Sequence, residues 1–168
     1  MRVLVAAASR HGSTREIAQV IGEQLCEMGI ATDVKDARDV ISVEEYDAVV
    51  LGSAIYVGQW LADARELVDT RAAQLLNRKV WLFSSGLADA PSKDANNAPA
   101  LLTRMKNTGA IGHRHFPGKL DVLQLSLAER AAIMAARGKY GDSRDMNVVR
   151  EWARSIGEAI TLDHPVNA

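Results

Sequence analysis

A hydroxyl-rich segment near the N-terminus has the composition of a phosphate-binding loop. Its residues are Ser9, Arg10, His11, Gly12, Ser13 and Thr14. The three hydroxyls can donate to phosphate oxygens, and Gly12 lets the backbone come close to an anion. If a helix begins here, its first N–H groups and its dipole favour the same anion. We therefore predict that this segment binds a terminal phosphate group; the alternative is a helix cap that binds no ligand.

Other kinds of phosphate site are excluded by the sequence. No G-x-G-x-x-G follows the first apolar run, and Gly118-Lys119 lacks both the upstream glycine and the following Ser or Thr of a nucleotide P-loop. A phospho-acceptor signalling domain of similar fold would need acidic residues after the first strand and an aspartate after the third. Ala8-Ser9 and Leu51-Gly52 occupy those places.

The predicted loop needs a strand before it and a helix after it, and the apolar pattern supplies both. Arg2–Ala8 is a nearly continuous apolar run, typical of a parallel strand buried on both faces. The helix that follows has one apolar face from Ile17 to Met28 and ends at Gly29. Four further strands are predicted at Ala31–Asp36, Tyr46–Gly52, Val80–Phe83 and Ala110–Phe116. Further helices are predicted at Leu61–Leu76, Pro99–Lys106, Leu125–Ala136 and Val148–Ile160, with a surface loop at Ala88–Pro99 and a polar turn at Gly138–Asp145.

Strands that alternate with helices predict an α/β fold in three layers, around a doubly wound, five-stranded parallel sheet. The 168 residues suit a single domain, with a helical insert at about 123–145. The net charge is −1, from 20 basic and 21 acidic residues, which gives no electrostatic footprint for nucleic acid.

The sequence also indicates the cellular compartment of the protein. The one cysteine, Cys26, excludes an intrachain disulfide and favours a reducing environment. The apolar N-terminus is short and lacks the features of a signal peptide, and no run approaches the roughly 18 apolar residues of a membrane span. We expect a cytoplasmic protein, with contact at a membrane surface left open.

A second segment, Gly52-Ser53-Ala54-Ile55-Tyr56-Val57-Gly58, follows the third predicted strand. Ser9-x-x-Gly12-Ser13-Thr14 resembles the flavin mononucleotide (FMN) phosphate loop of the flavodoxin superfamily, and the second segment resembles the flavin loop of its menaquinone-dependent protoporphyrinogen oxidase branch. Phe116-Pro117 and Gly141–Asp145 also match that branch. The resemblance implies strand order 2-1-3-4-5, in which ligands bind beside the first and third strands.

The resemblance further implies that the cofactor is FMN and that the loop after the fourth strand approaches the flavin. The implied cofactor-binding residues are Ser9, Arg10, His11, Gly12, Ser13, Thr14, Ser53, Ala54, Ile55, Tyr56, Val57, Gly58, Ser84, Ser85, Gly86 and Leu87. No catalytic side chain is assigned, because the flavin performs the redox chemistry.

Several side chains near these segments have two alternative roles. Tyr56 is predicted to contact the flavin ring, whereas Trp60 is interpreted as the first core residue of the following helix. Arg10 and Arg15 either offset the phosphate charge or are solvated. His113 and His115 face the same side of a strand near a substrate mouth, but no third ligand accompanies them and no metal site is expected.

Three functions remain open. An enzyme would oxidise a substrate, by resemblance a tetrapyrrole, and pass the electrons to a quinone. A carrier would shuttle electrons between protein partners, and a third possibility is a flavin-binding module without turnover. The balanced charge disfavours a carrier, which docks through a broad acidic surface. The insert suits a substrate wall, although its alanines and few apolar residues make a thin patch for membrane binding.

Overall fold

The structure is a computed structural model. It describes residues 1–56, 58–86, 99–120, 126–135, 141–142 and 144–163, with backbone alone at 120, 132, 133 and 141. Val57 and Leu87, two of the predicted binding residues, lie outside the described residues. So does nearly all of the predicted surface loop, at 88–98.

Five parallel strands form the sheet, in the order β2-β1-β3-β5-β6. They are β1 (Arg2–Ala8), β2 (Ala31–Asp36), β3 (Ala48–Tyr56), β5 (Lys79–Gly86) and β6 (Gly112–Pro117). A two-residue strand, β4 (Gln59–Trp60), pairs with the end of β3 in the antiparallel sense. Without β4 the order is 2-1-3-4-5, so the predicted topology is confirmed.

Helices cover both faces of the sheet. Helix α1 (Ser13–Glu27) and helix α5 (Met146–Leu162) share one apolar cluster with alternate residues of the central strands. Helix α2 (Ala62–Leu75) and helix α3 (Pro99–Thr108) pack on the other face. Residues Val3 to Ala8 of β1 are at most 4% exposed, since both faces of this strand are covered. No helix in the described ranges is long and apolar enough to cross a membrane.

The third and fourth predicted strands were too short. Strand β3 runs past Gly52 to Tyr56, and β5 runs past Phe83 to Gly86, with Ser53 paired to Ser84 and Ala54 to Ser85. The sequence predicts that the strand ends at Gly52, but Gly52 lies within β3. A glycine is needed there because a Cβ would lie 2.1 Å from the ring of Phe83. The predicted loops that begin at Gly52 and Ser84 are therefore strand ends.

The insert is anchored by a small ribbon that the sequence did not predict. Strand β7 (Lys119–Leu120) pairs in the antiparallel sense with β8 (Gly141–Asp142). Strand β8 lies inside the segment that was predicted as a polar turn. Helix α4 (Leu127–Ala135) lies between them in the chain and agrees with the predicted helix apart from residues 125, 126 and 136, of which 125 and 136 are not described. The ribbon closes the insert at its base.

Candidate cofactor site

Gly12 turns the chain into helix α1. Its φ of 89° lies in the left-handed region, and nothing lies within 4 Å of where a Cβ would stand. The Gly12 N–H donates to the Ser9 hydroxyl at 3.0 Å, and its carbonyl accepts the N–H of Glu16 at 3.0 Å. The loop is therefore already folded into a tight turn that faces open space.

The start of α1 suits an anion. No described side chain caps this helix, so its first N–H groups are the donors that a phosphate would take. The acid of the first turn, Glu16, pairs with Arg144, which also donates to the carbonyl of Ser13. With that negative charge neutralised, the residues present fit a terminal phosphate group.

The end of β3 lies beside this loop because β1 and β3 are neighbours, with Ala8 paired to Ser53. The guanidinium of Arg10 stacks over the Tyr56 ring, 4.5 Å from its centroid. Tyr56 therefore has one face covered by a cation and only the other for a ligand. The two predicted segments thus meet at the C-terminal ends of β1 and β3, where a crevice for a cofactor is expected.

Two predicted binding residues use their hydroxyls inside the protein. Ser53 is fully buried; it donates to the carbonyl of Ala54 at 2.8 Å and accepts from the Leu61 N–H at 2.9 Å. Ser84 accepts from the indole N–H of Trp60 at 2.8 Å. These side chains hold the β3–β4 hairpin against β5, so only their backbone could contact a cofactor.

Apart from Ser85, the other described binding residues predicted on these strand ends are partly accessible. Ala54, Ile55, Tyr56 and Gly86 are half-buried, and Gly58 is exposed with a φ of 72°. Gly58 makes the turn into β4, where few other residues adopt that φ. Ser85 is 3% exposed. It lies beside Gly118, which packs so closely on the Gly86 carbonyl that a Cβ there would lie 2.3 Å from its oxygen.

Glu129 of the insert is the site residue that the sequence did not single out. One carboxylate oxygen lies 2.5 Å from Nε of Arg10, and the other lies 3.2 Å from Nε2 of His11. The second oxygen also accepts the Ser126 N–H at 3.0 Å, while the Glu129 N–H donates to the Ser126 hydroxyl at 3.2 Å. This reciprocal pair is a capping box, and its Ser-x-x-Glu spacing was the available signal.

The Glu129 carboxylate is charged despite its burial. Its side chain is 4% exposed. Burial alone would raise its pKa, but the Ser126 amide, Arg10 and His11 together hold the pKa below its usual value. Two possibilities were predicted for Arg10, that it offsets a phosphate or that it faces solvent. The ion pair with Glu129 is a third. Arg15 instead pairs with Asp36 at 2.8 Å.

The base of the insert is fixed by Arg144. Its guanidinium is 6% exposed and forms a two-point contact with Asp142, with both N–O distances at 2.9 Å. The hydrogen bonds from Arg144 lower the pKa of Asp142 to about 2. Because Arg144 also reaches Glu16 and the Ser13 carbonyl, the β7–β8 ribbon is tied to the start of α1.

A second cluster lies on the α2–α3 face of the sheet. His113 Nε2 lies 2.8 Å from the Ser84 hydroxyl, and the Arg104 guanidinium lies 4.4 Å from the Trp60 ring centroid. Desolvation, then His115 and Arg104, lower the pKa of His113 to about 4. Trp60 is 4% exposed, so its predicted place in the core is confirmed, but it lies in strand β4 and not in the following helix. Within the described ranges, no group of three or more His, Cys, Asp or Glu could hold a metal ion.

A family model described as a flavodoxin domain matches residues 4–147. The chain belongs to the flavodoxin-domain family. Its cofactor is therefore FMN, in agreement with the uncapped start of α1, where a phosphate could bind. The matched range includes both predicted cofactor segments and the whole insert.

Curated relatives of this flavodoxin domain are named protoporphyrinogen IX dehydrogenase (quinone). The proteins of Escherichia coli strains K12 and O157:H7 are each 33% identical to it over 96 residues, which is 55% of this chain and 53% of theirs. The match thus spans about half the length of these relatives.

Solved structures share the fold. Rubredoxin oxygen:oxidoreductase of Desulfovibrio gigas has a TM-score of 0.67 at 14% identity, covering 98% of this chain and 37% of that one. The flavodoxin of Streptococcus pneumoniae has a TM-score of 0.63 at 14% identity, covering 95% and 99%. An archaeal flavodoxin has a TM-score of 0.58 at 22% identity, covering 82% and 97%.

Proposed function

We propose that this flavodoxin domain is an FMN-dependent oxidoreductase that oxidises a tetrapyrrole and passes the electrons to a quinone. The observation that carries the proposal is the docking of the inserted helix α4 on the cofactor loop, through Glu129 to Arg10 and His11. The insert gives the crevice a wall, which a small-molecule substrate needs. The name of the curated relatives supplies the substrate class, with protoporphyrinogen as the candidate.

In this proposal the protein binds and orients, and FMN when bound supplies the transfer of electrons. The loop Ser9–Thr14 would hold the phosphate group through backbone N–H groups and hydroxyls. The backbone at the ends of β3 and β5 would line the ring, at the edge where Gly86 and Gly118 come close together. Tyr56 would offer its free face, and helix α4 would limit the access of water.

The alternative is an electron carrier that shuttles electrons between protein partners. Such a carrier docks through a broad acidic field, which speeds association. Here the net charge is −1, and several acids beside the crevice are neutralised by arginines, including Asp36, Asp142 and Glu16. This balance favours the enzyme. A free exposed thiol at Cys26 suits a reducing cytoplasm, where we place the protein.

Stopped-flow spectroscopy of the two half-reactions tests the proposal. Under anaerobic conditions, protoporphyrinogen should bleach the oxidised FMN protein, and a soluble menaquinone analogue should restore its absorbance quickly. A carrier would ignore both compounds and would cycle with a ferredoxin-type reductase. If only the reductase reacts, the enzyme proposal fails and the carrier replaces it.

A further inference from the structure

Three separate parts of the chain meet at one ion cluster above the crevice. Arg10 comes from the phosphate loop, Tyr56 from the end of β3, and Glu129 from the inserted helix α4. His11, next to Arg10, contacts the same carboxylate. The contact joins residues 118 positions apart in the chain, so its formation decides where α4 lies.

We propose that Glu129 is the latch that holds helix α4 closed over the cofactor crevice, and that FMN enters and leaves when this latch opens. The inference rests on the proposed FMN site but not on the proposed oxidation of a tetrapyrrole. It assigns to the insert a second task, control of cofactor exchange.

The carboxylate is well suited to act as a latch. Its burial to 4% exposure strengthens the charge-assisted contact with Arg10, since less water competes for either group. Its Oε2 is also fixed by the Ser126 N–H, which orients the side chain from within its own helix. An uncompensated carboxylate at this position would be costly, so the closed arrangement is favoured while the Arg10 guanidinium is in place.

The cluster could instead act by competition, with Glu129 occupying the side chains of Arg10 and His11 that a phosphate would use. The donors at the start of α1 argue against this. Those backbone N–H groups follow Gly12 and are not used by Glu129, whose partners are the side chains of Arg10 and His11 and the amide of Ser126. The phosphate and the carboxylate therefore have separate sets of donors.

Cofactor exchange kinetics separate the two ideas. The probes are FMN and riboflavin, which lacks the phosphate, mixed with apoprotein and followed by flavin fluorescence in stopped flow. In Glu129→Gln, which removes the charge and keeps the shape, we expect association and dissociation of both flavins to be faster by about tenfold, as for the loss of one charge-assisted hydrogen bond. Asp36→Asn is the matched control: it removes the acid that pairs with Arg15 next to the same loop, and should leave both rates unchanged.

A second variant protects the test against a folding defect. Arg10→Gln removes the partner from a different element and should produce the same acceleration of riboflavin exchange, with no further effect on riboflavin in the double variant because the two residues act as one contact. Tighter FMN binding in Glu129→Gln with riboflavin unchanged would establish competition and overturn the latch. Wild-type exchange rates for both flavins in Glu129→Gln would also overturn it. Neither result depends on activity with a tetrapyrrole or quinone.

Discussion

The Ser84 hydroxyl lies 2.8 Å from Nε2 of His113 and accepts the Trp60 indole N–H at the same distance. This chain of three residues joins β4, β5 and β6 directly behind the proposed flavin site. Ser84 is 2% exposed and Trp60 is 4% exposed, so water cannot readily replace either partner. The Ser84 hydroxyl is thus a structural link between strands.

Ser84→Ala should therefore destabilise the fold. The substitution leaves the buried Trp60 N–H without its acceptor, a loss of about 1–3 kcal/mol. Chemical denaturation followed by circular dichroism measures the change. Ser155→Ala is the control, because that exposed serine bonds only within its own helix and should change stability by less than about 0.5 kcal/mol. Equal stability of the two variants would show that the link does not form.

His113 should make stability depend on pH. Its pKa falls from 6.5 to about 4 in the folded protein, so the unfolded chain binds more protons between these values. The contribution of His113 to the free energy of unfolding is fully present above about pH 6.5 and is lost as the pH falls towards 4. After allowance for partial exposure, this contribution is about 2 kcal/mol. Unfolding midpoints at several pH values should show this slope in the wild type and a shallower one in His113→Gln. The same slope in both proteins would rule out His113 as its source.

Gly52→Ala should destabilise the sheet by overpacking. The added Cβ would lie 2.1 Å from the Phe83 ring, which is fully buried and cannot move aside freely. We expect a loss of about 1–3 kcal/mol. At Gly112, another strand glycine, the nearest atom to an added Cβ is 3.7 Å away in Trp81, so Gly112→Ala should cost less. A thermal melt of each variant gives the comparison, and the reverse order would contradict the packing.

Much of the fold could be predicted from local patterns. The run Arg2–Ala8 follows from apolar composition and forms β1 as predicted. The loop after it follows from helix-start chemistry, but α1 begins at Ser13, inside the predicted loop. The ends of β3 and β5 could not be predicted, because a glycine that packs under an aromatic ring looks the same in sequence as one that turns the chain. Gly52 is the case in point.

Some roles of residues at the site could not be predicted either, because they depend on contacts between distant parts of the chain. Ser53 and Ser84 could not be recognised as internal links, since their partners Leu61 and Trp60 meet them only through the β3–β4 hairpin. Glu129 was missed because its partners His11 and Arg10 lie 118 and 119 positions away in the chain. Its capping box with Ser126 is visible in sequence, but this predicts a helix start and not a contact across the crevice.

The central proposal is that the Ser9–Thr14 loop holds the flavin phosphate, and titration of apoprotein with FMN in a calorimeter tests it most directly. Wild-type protein should bind one FMN per chain. Gly12→Asp should bind it at least about tenfold more weakly, since a carboxylate at the start of α1 repels the phosphate and an aspartate is strained at a φ of 89°. Circular dichroism of the same sample checks that the variant is folded. Unchanged affinity in folded Gly12→Asp would contradict the account, because the phosphate would then bind elsewhere.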